Sequence, residues 1–136
     1  MTNAVASQAK FDVQPYRWVI LSMCVLSFLL TFVARFAWPP LIPVVVPILG
    51  MKMSQAGAFM SAFYIGYVIT QIPAGILADF IGVRLVLTLC LLIEGVASFG
   101  MGFINTYDSG FTLRVICGLG AGADFAACTR AIMEWF

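Results

Sequence analysis

Between Lys52 and Asp79 no residue carries a charge. An apolar stretch of that length meets the roughly 20 residues that a helix needs to cross the hydrocarbon of a bilayer. Such a segment must satisfy its own backbone hydrogen bonds, which a helix does and an isolated strand does not. Just beyond it, Asp79-Phe80-Ile81-Gly82-Val83-Arg84 forms a brief polar interruption. From Leu85 a second apolar stretch follows, broken only by Glu94. So short a connection forces the two spans into an antiparallel hairpin, with Asp79 and Arg84 at the same water boundary. Two opposite charges and the glycines Gly75 and Gly82 are more than a bare connection requires, so the hairpin is expected to matter for conformation.

The rest of the chain has the same character. Apolar residues make up 62% and charged residues 10%, where a soluble domain carries charge on about a quarter of its residues. The fold class is therefore all-α, a polytopic membrane protein of about four transmembrane helices, with the lipid bilayer as its first partner. A formal net charge of +1 without a basic patch gives no footprint for nucleic acid. Histidine is absent, which removes the commonest metal ligand and the commonest catalytic base. The cysteines Cys24, Cys90, Cys117 and Cys128 each lie inside an apolar stretch, and none has CxxC spacing. They read as small packing residues. No metal site, no cofactor and no enzymatic chemistry is expected.

In chain order, residues 1–16 read as a polar cytoplasmic tail and residues 17–136 as the transmembrane region, with helices over about 18–48, 56–78, 83–104 and 111–135. A signal peptide is the alternative for the first stretch, but the apolar run is long and no small-residue cleavage site follows. Pro39, Pro40, Pro43 and Pro47 bend or interrupt the end of that first helix. Lys10, Arg17, Arg84 and Arg130 gather on one side and Lys52 flanks the other, which puts the N-terminus in the cytoplasm. Trp38 and Tyr107 would then mark the outer interface, Trp18 and Trp135 the inner one.

A few residues carry the candidate chemistry. Arg35 is either a snorkelling cation near a helix end or, if the helix runs on through the prolines, a charge facing water or an anion. On the second helix, Tyr64, Tyr67 and Gln71 recur at spacings of three and four and share a face. That face would line an aqueous cavity or make bonds between helices. Arg114, Gly118, Gly120, Gly122 and Arg130 lie on the fourth helix, where Gly118 and Gly122, one turn apart, let a neighbouring helix approach closely. Asp124 follows near mid-span. A buried carboxylate there takes a proton or cation, or pairs with Arg35, Arg114 or Arg130. Glu94 sits among bulky apolar neighbours and reads as a structural partner to an adjacent helix.

These residues resemble the first four helices of a major facilitator superfamily transporter. The hairpin is similar to that superfamily's G-x-L-A-D-R-x-G-x-R loop, matched by Gly75, Leu77, Ala78, Asp79, Gly82 and Arg84, with Phe80 replacing the usual basic residue. Arg114 followed by Gly118 and Gly120 is similar to its R-x-x-x-G-x-G signature. Arg35 before a proline-rich segment, Tyr64 and Tyr67 with Gln71-Ile72-Pro73, and Arg130 before an aromatic end are closest to the anion-transporting branches.

The resemblance implies a secondary active transporter of a small anionic solute, working by alternating access in a bacterial-type inner membrane. Arg35 would bind the anion, Tyr64, Tyr67 and Gln71 would shape the site, Asp124 would couple a proton or cation, and the Asp79 hairpin would latch one state. Such transporters have two six-helix halves, so the sequence reads as an N-terminal portion that needs the remaining helices from the same longer chain or a partner chain. The alternatives are a non-transporting four-helix membrane subunit, a truncated remnant, or a small dimeric four-helix exporter. Against the last, the first helix holds no glutamate.

Overall fold

The computed structural model describes residues 16–135, except the side chain of Trp135. The segment before Tyr16, Lys10 within it, and the aromatic chain end at 135–136 lie outside the described side chains. The elements are α1 (Tyr16–Phe36), α2 (Trp38–Leu49), α3 (Met53–Ile81), α4 (Val83–Gly100), a 3-10 turn (Met101–Phe103) and α5 (Tyr107–Trp135). They make four helical spans long and apolar enough to cross a membrane, α1 and α2 together forming the first.

The break inside the first span has a local cause. Pro39 and Pro40 have no backbone N–H to give the carbonyls of Arg35 and Phe36 four residues earlier. The chain turns at Ala37 and the helix restarts at Trp38, with proline in its first turn, where a missing donor costs nothing. It stops at Gly50, whose left-handed φ of 60° suits glycine. The next helix begins at Met53, ahead of the expected Ala56, because the Gln55 side chain accepts the Lys52 N–H at 2.8 Å and steadies the first turn.

The hairpin between α3 and α4 turns on one residue. Gly82 ends the first helix and starts the second at φ 89°, a conformation in which a side chain would be strained. The helices on either side therefore abut almost without a loop.

α5 is the central helix, packed against α3, α4 and α1. Small residues make this possible. A Cβ on Gly118 would strike the Phe63 carbonyl, one on Gly66 the Val115 carbonyl, and one on Gly122 the Tyr67 carbonyl. Gly120 looks the other way, towards Cys90 and Glu94 on α4. So α3 lies backbone to backbone with one face of α5 while α4 takes another, the close approach that small residues permit in membranes.

The interior is correspondingly made of small residues, with Ala62, Ala74, Ala78, Cys90, Ala97, Ala121, Ala127 and Cys128 buried. Apart from Trp38, Phe59 and Phe63, which are buried, many bulky residues face out: Met23, Leu26 and Val33 on α1, Val68, Ile72 and Ile76 on α3, and Leu92, Val96 and Phe99 on α4 are all exposed. This inversion of the soluble pattern is stable only where lipid or further helices cover the outer face.

One aromatic expectation is corrected. Trp38 does not mark a membrane interface: it is 2% exposed, tilted against Phe59 at 4.9 Å between ring centroids. Its indole N–H donates to the Ala56 carbonyl at 3.0 Å. With its polar edge satisfied inside the bundle, the ring gains more from packing than from the headgroups.

Candidate substrate and coupling site

α1 presents one polar stripe to the bundle, formed by Cys24, Ser27, Thr31 and Arg35 at helical spacing. The first three are buried. Arg35, at the end of the stripe, is half-buried.

Its guanidinium donates from Nη2 to the Tyr64 hydroxyl and lies 4.6 Å from the centroid of that ring. Phe36 and Phe32 flank it at 5.4 and 5.9 Å. Arg35 Nε is buried without a hydrogen-bond partner. Among the described residues no carboxylate makes an ion pair with it, since the ion pair found there joins Arg130 to Asp79. A cation held by aromatic faces with a donor unspent has the chemistry to accept an anion.

Beside Arg35 is a small hollow of about 140 Å³, lined by Thr31, Arg35, Phe63, Tyr67 and Phe125 among others. Tyr67 is half-buried between Phe63 and Phe125, 6.4 Å from each, stacked on the first and tilted against the second. Tyr64 is drawn to Arg35 instead. Gln71, half-buried a turn further along α3, is not part of the hollow's lining.

Deeper in the bundle, Asp124 is fully buried. The Ser27 hydroxyl donates to its Oδ1, and Cys128 Sγ lies 3.7 Å from the same oxygen. The Thr31 hydroxyl lies 3.2 Å from Asp124 Oδ2 and 2.9 Å from Glu94 Oε2. Glu94 is 4% exposed, and its Oε1 has no hydrogen-bond partner. The arginine partners considered for Asp124 are all engaged elsewhere. Arg35 is at Tyr64, Arg130 at Asp79, and Arg114 at Trp38. Ser27 and Thr31 were not singled out from the sequence. The signal was available, since Cys24, Ser27, Thr31 and Arg35 fall on one face of an otherwise bulky helix.

Arg114 is also buried. It lies 4.9 Å from the centroid of the Trp38 ring and donates from Nη1 to the Ala34 carbonyl at 3.4 Å. It thereby pins α5 to the end of α1, next to its junction with α2.

At the other end of the bundle, Arg130 Nε stands 2.5 Å from Asp79 Oδ1, with the two side chains 49% and 52% exposed. Arg84 turns away and donates to the Tyr16 hydroxyl at 3.0 Å. A Cβ on Gly75 would meet the Ala126 side chain at 4.0 Å, an ordinary contact. The aspartate of the hairpin therefore reaches α5, and its partner is Arg130, which the sequence offered for helix packing or as a partner of Asp124.

Residues 19–136 match the sequence profile of the Major Facilitator Superfamily. The chain is 33% identical over 119 residues to a probable sulfoacetate transporter of Cupriavidus necator, covering 88% of this chain and 28% of that one. It is 30% identical over 121 residues to a 4-hydroxybenzoate transporter of Pseudomonas aeruginosa, covering 89% and 27%. It is also 29% identical over 138 residues to a probable chloroplastic anion transporter of Oryza sativa, covering 98% and 26%. The chain thus spans about a quarter of the length of these relatives. No solved structure matches.

Proposed function

The chain belongs to the Major Facilitator Superfamily, and we propose that it forms part of a secondary transporter that moves a small organic anion by alternating access. The observation that carries this reading is Arg35, a half-buried cation in a membrane span with aromatic rings around it and no carboxylate paired to it among the described residues. Desolvating a guanidinium is costly, and a substrate carboxylate, sulfonate or phosphate would offset that cost on arrival. The names of the relatives, which speak of sulfoacetate, 4-hydroxybenzoate and anions, support the same class.

In this reading Arg35 holds the anion and Tyr64 orients the guanidinium. Tyr67 forms the wall of the hollow, and Gln71 lines the path beyond it. Asp124 carries the coupling proton. The remaining helices of the transporter cover the exposed apolar faces of α1, α3 and α4 and complete the cavity. The Asp79–Arg130 pair, with Gly75, Gly82 and Arg84 shaping the turn, latches α3 to α5 on the cytoplasmic side in one state and opens in the other. The N-terminus lies in the cytoplasm, a reading supported by the distribution of Arg17, Arg84, Arg130 and Lys52, and the membrane is the bacterial-type inner membrane, a reading supported by the bacterial relatives.

The test is uptake into proteoliposomes by the whole protein. A panel of carboxylates, sulfonates and phosphate esters is offered to wild type and to Arg35→Ala. Saturable uptake of an anion that is lost in the variant supports the reading. Uptake unchanged by the substitution would remove Arg35 as the anion site.

A further inference from the structure

We propose that Glu94, Thr31 and Asp124 form a proton-sharing unit, in which two buried carboxyl groups hold one proton between them and the Thr31 hydroxyl relays it. This rests on the reading of Asp124 as the proton-carrying group and adds Glu94 as its partner.

The argument is a count of hydrogens. Thr31 Oγ1 lies within hydrogen-bond distance of both Glu94 Oε2 and Asp124 Oδ2, at 2.9 and 3.2 Å. A hydroxyl has one hydrogen to give. With both carboxylates ionised, that hydrogen serves one oxygen and the other contact is a repulsion between lone pairs. Two like charges would also share a buried site without a cation, because neither carboxylate has an ion-pair partner among the described residues. Placing one proton on Glu94 Oε2 resolves all of this. The Glu94 O–H donates to Thr31 Oγ1, the Thr31 O–H donates to Asp124 Oδ2, and Ser27 donates to Asp124 Oδ1.

The remaining oxygen supplies an independent observation. Glu94 Oε1 is buried and has no donor facing it, on a side chain that is 4% exposed. As half of a carboxylate it would carry uncompensated charge. As the carbonyl oxygen of a neutral acid, it is far cheaper to bury.

Transfer along the chain is balanced. As Glu94 passes its proton to Thr31 Oγ1, the Thr31 hydrogen passes to Asp124 Oδ2. One O–H bond breaks and one forms at each step, and the hydroxyl is regenerated. The other titratable groups facing this unit are Cys24 on α1, Tyr67 on α3, Cys90 on α4 and Cys117 and Cys128 on α5, with Arg114 beyond Cys117 and Arg35 one turn beyond Thr31. The thiols and the phenol are neutral when protonated and do not replace the missing cation.

The test is infrared difference spectroscopy of the whole protein at neutral pH, in H₂O and D₂O, which reads the C=O stretch of protonated carboxyl groups. The expected result is one such band in wild type that is lost in Glu94→Gln and shifted in Thr31→Val. Thr31→Ser keeps the hydroxyl and should return the wild-type band, which guards against a folding defect in the valine variant. A band that is absent in wild type, or unmoved by Thr31→Val, overturns the proposal. A band removed by sodium at fixed pH also overturns it, since the pair would then bind a metal cation. Proton-driven uptake by Asp124→Asn separates the two levels. If it is lost while the band ignores Glu94→Gln and Thr31→Val, Asp124 acts alone. If it persists, the coupling role itself fails.

Discussion

Thr31 and Arg35 stand one helical turn apart on the same face of α1, the first bridging two buried carboxyl groups and the second held against Tyr64. Both line one hollow of about 140 Å³. Any motion of α1 that moves the arginine also moves the hydroxyl. On the roles proposed above, a proton site and an anion site carried on one rigid element would be coupled without a long pathway, because the helix itself transmits the displacement.

Replacing Tyr64 by Phe tests the orienting role. The ring remains to stack on Arg35, but the acceptor for Nη2 is gone. A hydrogen bond to a charged group is worth about 1.5–3 kcal/mol. Binding of the anion should weaken by roughly tenfold to a hundredfold, read as a rise in KM with little change in the maximal rate. Arg35→Lys should fall between wild type and alanine, since an ammonium keeps the charge and loses the planar fork.

Gly118→Val places a side chain where the Phe63 carbonyl already sits. Overpacking a tight contact costs about 1–3 kcal/mol or more, and here the obstacle is backbone that cannot rotate away. The expected outcome is a lower thermal midpoint in detergent and poor expression. Gly95→Ala is the control: nothing lies within 4 Å of its would-be Cβ, and alanine is favoured over glycine in a helix by up to about 1 kcal/mol.

Trp38→Ala should rank among the most destabilising single changes, at about 3–5 kcal/mol. It empties the space against Phe59 and leaves Arg114 without its ring. Trp38→Phe keeps most of the packing and loses the indole bond to the Ala56 carbonyl, which keeps its place in the α3 ladder, at a cost of about 0.5–1.5 kcal/mol. Urea or thermal unfolding of the purified protein checks both the order and the gap between them.

Asp79→Asn and Arg130→Gln should each change stability by less than about 1 kcal/mol, because the pair is half-exposed. Their effect should appear in the balance of conformations instead. Cysteine-accessibility labelling of the Asp79 end of the bundle should shift in each single variant, and the double variant should shift no further than either one. Unchanged labelling would mean that the pair is not a latch.

Much of the architecture was legible because a membrane solvent imposes simple rules. Uncharged stretches between Lys52 and Asp79 and after Leu85 have no other way to satisfy their backbone in lipid, so their helical state follows from composition alone. Gly118 and Gly122 one turn apart announced a close helix contact before its partner was known. The restart at Trp38 also follows from local chemistry, since the missing donors belong to prolines close by in the chain.

Partnerships are another matter. The sequence by itself determined the spans, the tight turn at Gly82 and the presence of buried ionisable groups. Only the tertiary structure decided that Asp79 meets Arg130 rather than Arg84, and that Trp38 turns inward to Ala56 rather than to the headgroups. It also decided that Glu94 and Asp124 share the hydroxyl of Thr31. The reason is range: a helix and its ends are set by hydrogen bonds four residues apart. Which side chains meet across helices depends on how closely the backbones approach, and that distance is set by glycine and alanine contacts between segments far apart in the chain.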